Sequence, residues 1–118
     1  MTKYNKNFGK LGEEIAAEYL LSHNFAIVHR NFRSKFGEID IVAEKNGKLY
    51  FIEVKTRANL KKGKPYEAVN NRKIHQMKKA ATYYLLENKP KNLKYTLSAF
   101  SILFTDTINY QLQFFGRW

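Results

Sequence analysis

Cysteine is absent from the 118 residues. That excludes disulfides, thiolate catalysis and any zinc site built on Cys. It is compatible with a reducing cytoplasm, which is the expected setting. Long apolar runs are missing too, and none approaches the roughly 20 residues of a membrane-spanning helix. No membrane association is expected. The first residues, Met-Thr-Lys-Tyr-Asn-Lys-Asn, hold no apolar h-region, so the chain reads as lacking a signal peptide. No glycine-rich phosphate loop of the Walker or dinucleotide type occurs. The three histidines, His23, His29 and His75, lack the spacing of a zinc site. Nothing supports Ser-His-Asp catalysis, and there is no internal repeat, low-complexity tract or linker. Acidic residues are scarce beyond the middle, seven of the 10 lying before position 54.

What is present suits a folded globule. Hydrophobic residues make up 44% and aromatics 15%, too apolar for a disordered chain. The length fits one domain spanning 1–118. Against 10 acidic residues stand 21 Lys and Arg, a formal charge of +11. From Lys55 to Lys94 there are 12 basic residues and two acidic ones, Glu67 and Glu87. A basic surface beside an acidic cluster suits a polyanion handled through a metal.

Residues 36–57 organise the chain. They read as two strands joined by Asn46-Gly47, the dipeptide that best accepts the positive φ values of a type I′ turn. With a two-residue loop Lys45 faces Lys48, and counting back along both strands sets Asp40 opposite Glu53. Alternation then puts Val42, Phe51, Asp40, Glu53 and Lys55 on one face. Ile39, Ile41, Ala43, Tyr50, Ile52 and Val54 form the other, a core face. Opposed carboxylates repel. A hard divalent cation between them would turn that repulsion into a site, and Mg²⁺ and Mn²⁺ favour carboxylate oxygens.

Around this hairpin the periodicity predicts a helix over 9–23, with Leu11, Ile15, Ala16, Tyr19 and Leu20 as its apolar stripe. Glu13 lies at the N-terminal end of that stripe, while Glu14 and Glu18 read as solvated helix charges. Gly12 suits a close backbone approach, and Asn24 a left-handed cap. Residues 25–32 read as a strand. Arg30, Arg33 and Lys35 form a basic connection into the hairpin, where Gly37 suggests a bulge or bend. Residues 58–67 read as a loop whose Lys61, Lys62 and Lys64, with Arg57 before them, suit a phosphate clamp. A second helix is expected over 69–88, with Ile74, Met77, Ala81, Tyr84 and Leu85 facing the core and Pro90 beyond its end. Arg72, His75, Gln76 and Lys79 form a polar stripe, and Lys73 and Gln76 flank the apolar one, pointing along the sheet toward the hairpin acids. Strands over 95–104 and 108–115 complete an α-β-β-β-α-β-β order. The apolar chain end, Phe114 to Trp118, suits docking on the domain or on a second subunit.

The chemistry available is therefore Asp40-x(12)-Glu53-x-Lys55 on a hairpin, with Glu13 on the preceding helix. Phosphodiester cleavage must stabilise added negative charge and supply a nucleophile. Glu13, Asp40 and Glu53, with the backbone carbonyl of Val54, suit one or two Mg²⁺ or Mn²⁺ ions. Such a metal polarises the phosphate and lowers the pKa of bound water. Lys55 suits transition-state stabilisation or water orientation. The basic residues Arg30, Arg33, Lys35, Arg57, Lys61, Lys62, Lys64, Arg72, Lys73 and Lys79 would grip a nucleic-acid backbone without reading base sequence.

Three segments carry a resemblance: Gly9-Lys-Leu-Gly-Glu13-Glu-Ile-Ala16, Gly37-Glu-Ile-Asp40-Ile-Val, and Phe51-Ile-Glu53-Val-Lys55-Thr-Arg57. In this combination they resemble the bacterial YraN-like family, over about residues 8–104. That family is similar to archaeal Holliday-junction resolvases and to the PD-(D/E)xK nuclease-like superfamily. The resemblance implies a restriction-endonuclease-like α-β-β-β-α-β core, with a central mixed sheet flanked by helices. It implies Mg²⁺ or Mn²⁺ and a DNA substrate, branched or otherwise structured. It carries catalytic roles onto Glu13, Asp40, Glu53 and Lys55 and makes Gln76 an auxiliary candidate. Two departures stand out. Ile39 occupies the place of the superfamily's nominal proline, and Ala99-Phe100-Ser101-Ile102 lacks the acid usual in the next strand. The expected function is a metal-dependent DNA endonuclease. The rivals are a non-catalytic nucleic-acid-binding module and an accessory subunit. A homodimer would suit the symmetry of a junction.

Overall fold

The elements run α1 (Lys3–Ser22), β1 (Ala26–Ser34), β2 (Gly37–Lys45), β3 (Lys48–Arg57), α2 (Asn71–Asn88), β4 (Lys94–Phe104) and β5 (Tyr110–Phe115). The computed structural model describes residues 3–58, 71–90, 94–106 and 108–116, with side chains from residue 9 onward. The strands form one sheet in the order β1-β2-β3-β4-β5. Only β3 and β4 are parallel. They are also the pair separated by a helix, since a parallel neighbour needs a crossover and an antiparallel one only a turn. The result is a mixed α/β sheet with helices against its faces, as expected. Helix α1 begins six residues before the expected start, because its first turns lack the apolar spacing that signals a helix.

Both sheet faces are core. Ala16 and Leu20 of α1 bury against Ile41, Ala43, Ile52, Phe100 and Ile102. Met77, Ala80, Ala81 and Tyr84 of α2 bury against Phe32, Ile39, Val42, Leu49 and Phe51. Phe114 packs into the α1 side, its ring edge-on to Phe25 at 5.8 Å and tilted against Phe100 at 5.5 Å. That aromatic residue of the chain end therefore docks on its own domain.

Two turns follow the sequence closely. Asn46 and Gly47 have φ of 52° and 74°, and Lys45 pairs with Lys48, as a two-residue type I′ loop requires. At the end of α1, Asn24 has φ 68°. The Phe25 N–H donates to the Leu20 carbonyl at 2.9 Å, and the Asn24 N–H to that of Leu21 at 3.3 Å. Phe25 and Leu20 share the same apolar cluster, completing a Schellman cap. Gly37, with φ 140°, is not a bulge. It pairs with Ser34 across the two-residue turn Lys35-Phe36.

Two expectations about the hairpin need correction. Its ladder holds the expected register from Lys45↔Lys48 only to Ile41↔Ile52, so Asp40 and Glu53 are not a ladder pair. Ile39 also leaves the face of Ile41 and joins Val42 against α2. The cause is a break in alternation. On β2, Ile39 and Val42 are three apart yet face the same helix. On β1, His29 and Phe32 are three apart, and both set their rings against Tyr84 of α2. The two breaks meet where Asn31 stands across from Asp40, between the pairs Arg30↔Ile41 and Phe32↔Ile39. Asn31 has φ 56° there, in the left-handed region.

Helix α2 ends on a side chain in the same strained region. Lys89 has φ 44°, and its N–H donates to the Leu85 carbonyl at 2.9 Å. Glycine adopts that conformation without a Cβ penalty. Lys89→Gly is expected to raise unfolding stability by about 0.5–1 kcal/mol, read from the urea midpoint at unchanged slope.

Candidate active site

The ladder between β2 and β3 stops at Ile52, but β3 runs on beside β4 to Arg57. Beyond Ile52 the β2-facing edge of β3 needs another partner. Asp40 supplies it, its Oδ2 accepting the Val54 N–H at 2.8 Å. The N–H and C=O of one strand residue point to the same side, so the Val54 carbonyl also faces this opening.

Glu53 is buried, with 4% of its surface exposed. Alternation from Phe51 turns it to the α2 side. Two ammonium groups address one of its oxygens, Oε1: Lys73 Nζ of α2 at 3.3 Å and Lys55 Nζ at 3.8 Å. A buried carboxylate needs such partners, since an unpaired charge away from water is costly. On the other side of the sheet α1 supplies Glu13. The Asn31 side chain stands between Glu13 and Glu38. An amide oxygen there would face two carboxylates, so the nitrogen takes the position and donates to Oε1 of each, at 3.2 and 3.1 Å.

The site opens where β2 and β3 part, with Glu13 from one helical layer and Lys73 from the other. Its acids act on one another. Asp40 is pushed up to about 8, first by burial and next by the Glu53 charge. The Val54 N–H opposes this, while Glu13 and Glu38 add to it. Glu13 is also raised, chiefly by burial, with Arg30 opposing and Glu38, Glu14 and Glu53 adding. A bound cation would relieve this mutual repulsion. Every donor is a hard oxygen, so in chemistry the set fits Mg²⁺ or Mn²⁺. Among the described residues, however, no three His, Asp or Glu side chains are gathered as a ready metal cage.

The remaining candidates divide. Gln76 is exposed on α2, one turn past Lys73, and no hydrogen bond ties it to the acids among the described residues. Arg30 lies on the α1 side, its Nη2 on Glu14 Oε1 at 2.7 Å. That contact shows a partner for Glu14, which had read as a solvated charge. Arg33 is largely exposed and stands 3.8 Å from Glu38. Lys35 lies in the β1–β2 turn, over the Phe36 ring. Arg57 follows Lys55 on the same face, its buried Nε without a hydrogen-bond partner among the described residues. Arg72 and Lys79 are exposed on α2. Lys61, Lys62 and Lys64 lie outside the described residues. On β4, Ser101 pairs with Lys55.

Sequence reasoning passed over two members of the site, Asn31 and Glu38. Glu38 had a signal, two residues before Asp40 in the Gly-Glu-Ile-Asp segment. Asn31 left no mark on hydrophobic periodicity, and its only signal was that Asn is depleted in strands and accepts the left-handed region.

Fold and site together define a class: an α/β protein with acids and lysines gathered where two strands of a mixed sheet separate. The chain belongs to the family described as Uncharacterised protein family UPF0102, whose model matches residues 12–105. This is the YraN-like family that the three sequence segments resemble. A UPF0102 protein of Syntrophomonas wolfei is 48% identical over 81 residues, covering 69% of this chain and 70% of its own. One of Dictyoglomus thermophilum is 44% identical over 99 residues, 84% of each chain. One of Trichlorobacter lovleyi is 41% identical over 105 residues, 88% of this chain and 83% of its own. No helix among the described residues is long and apolar enough to cross a membrane.

Proposed function

We propose that this protein is a metal-dependent endonuclease that hydrolyses phosphodiester bonds of branched or otherwise structured DNA. The observation that carries the reading is the opening between β2 and β3. There Asp40, its pKa raised, stands in the field of Glu53, and Glu53 holds two lysines. A structural sheet gains nothing from this arrangement, because like charges in low dielectric destabilise it. A site that must take up a cation and a phosphate gains both partners. The resemblance to junction resolvases supports DNA as substrate, and so does the net charge of +11.

Asp40, Glu53, the Val54 carbonyl and Glu13 would hold the cation. When bound it would supply charge for the phosphate oxygens and acidity for water. Lys55, 34% exposed at its side chain, would approach a phosphate oxygen as a cation. Lys73 neutralises Glu53 from the helix side. Arg57, Arg72 and Lys79 add sequence-independent grip on the backbone. A non-catalytic nucleic-acid-binding module is the second reading. It is favoured by the lack of a ready three-ligand cage among the described residues.

The test is cleavage of a labelled four-way junction, a flap and a linear duplex with Mg²⁺, Mn²⁺ or EDTA. Wild-type protein is expected to cut in metal, most rapidly on the branched substrates. Asp40→Asn and Lys55→Ala are expected to lose at least 100-fold in rate while still binding DNA. Equal cleavage by the variants would expose a contaminating nuclease. Binding without cutting on every substrate would transfer the assignment to the binding module.

A further inference from the structure

We propose that Asn31 is a positioning residue that builds this site. It clamps the α1 carboxylate of Glu13 to the β2 carboxylate of Glu38, and it turns Asp40 out of strand alternation toward Val54. Three observations converge on it. Its φ of 56° is left-handed inside a strand. Its side-chain nitrogen reaches Glu13 at 3.2 Å and Glu38 at 3.1 Å. And on both strands residues three apart around it face the same helix, His29 with Phe32 on β1 and Ile39 with Val42 on β2, beyond the separate register shift of β1 between Ile27 and His29.

The break has a consequence for each layer. Strict alternation from Val42 would aim Asp40 at α2 and Ile39 at α1. With the break, Ile39 fills the apolar α2 side, fully buried. Asp40 is left to reach across the end of the ladder to the Val54 N–H. The β1–β2 turn itself does not demand the break, since it closes three residues further on at Ser34↔Gly37. Asn suits the role because, glycine aside, it is among the residues that best accept the left-handed region. Its amide also carries two donors, one for each carboxylate, where Asp would add a further negative charge. Strained backbone at a site is a pointer to function when the surroundings hold it in place, and here two acids do so.

The clamp stands on geometry alone, whereas its consequence for metal uptake rests on the function proposed above. The test separates them. In the ¹⁵N-labelled full chain, the Asn31 side-chain amide pair is assigned as the signal lost in Asn31→Gly. Glycine accepts the left-handed backbone, so the remaining amide spectrum reports that this variant is folded. Glu13→Gln and Glu38→Gln are each expected to shift the Asn31 amide pair, as a donor shared by both acids must. A pair that ignores either substitution overturns the clamp. Mn²⁺ is then titrated into wild type and Asn31→Gly. An affinity lower by about 10–100-fold in the variant is expected, as for other groups that orient ligands. Equal affinities overturn the role of Asn31 in the site. If wild type takes no Mn²⁺ while the amide pair still responds, the metal reading falls and the clamp stands.

Discussion

Asp40→Asn is expected to stabilise the metal-free protein at pH 7 by roughly 4 kcal/mol. Its carboxyl is raised from an ordinary 3.8 to about 8 by burial and by Glu53. Between those values the folded chain keeps a proton that the unfolded chain releases. Stability from this group is therefore full below about pH 4 and is lost as pH rises toward 8. At pH 7 the difference is about three units, near 1.4 kcal/mol each. Asn is neutral at every pH and keeps an oxygen for the Val54 N–H, so it escapes the loss. Urea unfolding in EDTA at pH 5, 7 and 8 should show the advantage of the variant growing with pH. A gap that stays flat across the series, or closes, would remove the electrostatic account.

The same substitution is expected to abolish cleavage. One change would then strengthen the fold and disable the site, which is the signature of charge gathered for function rather than for stability. Divalent metal should partly reverse the comparison. A ligand at 100 times its Kd adds about 2.7 kcal/mol to whichever protein binds it. Wild type should gain that increment from Mn²⁺, and Asp40→Asn should gain much less.

How far the sequence led depended on whether a feature leaves a periodic trace. Asn46-Gly47 set the hairpin register because few dipeptides accept two left-handed residues. The stripes Ile15 to Leu20 and Met77 to Leu85 placed both helices. Acid and lysine spacing then brought Asp40, Glu53 and Lys55 close together on the right strands. The reading failed where backbone departs from its period. Counting by twos carried Ile39 to the wrong face and made Asp40 a ladder partner of Glu53. The count breaks on both strands around the left-handed Asn31, where Ile39 and Val42 on β2 and His29 and Phe32 on β1 face the same helix three apart. Hydrophobic periodicity does not signal this, and the one hint was Asn itself, a residue depleted in strands and tolerant of the left-handed region. Tertiary pairing also decided between two polar residues on α2. Gln76 and Lys73 both flanked the apolar stripe, and of the two it is Lys73 that reaches Glu53, at 3.3 Å.

Gly12 links helix packing to the site, and the largest purely steric effect is expected there. A Cβ built on Gly12 overlaps the Thr56 hydroxyl on β3, and it lies 3.3 Å from Thr56 Cβ and 3.5 Å from Ile102 Cδ1. Alanine is the better helix former by about 1 kcal/mol, so on an exposed helix Gly12→Ala would stabilise. Here overlap with a stiff β-branched side chain opposes that gain, and overpacking typically costs about 1–3 kcal/mol. Because Thr56 is held in the sheet, α1 must move instead, and Glu13 moves with it. Gly12→Ala is therefore expected to lower unfolding stability by about 1–2 kcal/mol net. It should also weaken Mn²⁺ binding and cleavage, in protein that remains folded. Adding Thr56→Ala removes the obstructing hydroxyl and should recover both losses, with a coupling energy of about 1–2 kcal/mol in the double-mutant cycle. Simple additivity of the two substitutions would show that the helix–sheet approach at Gly12 does not set the position of Glu13.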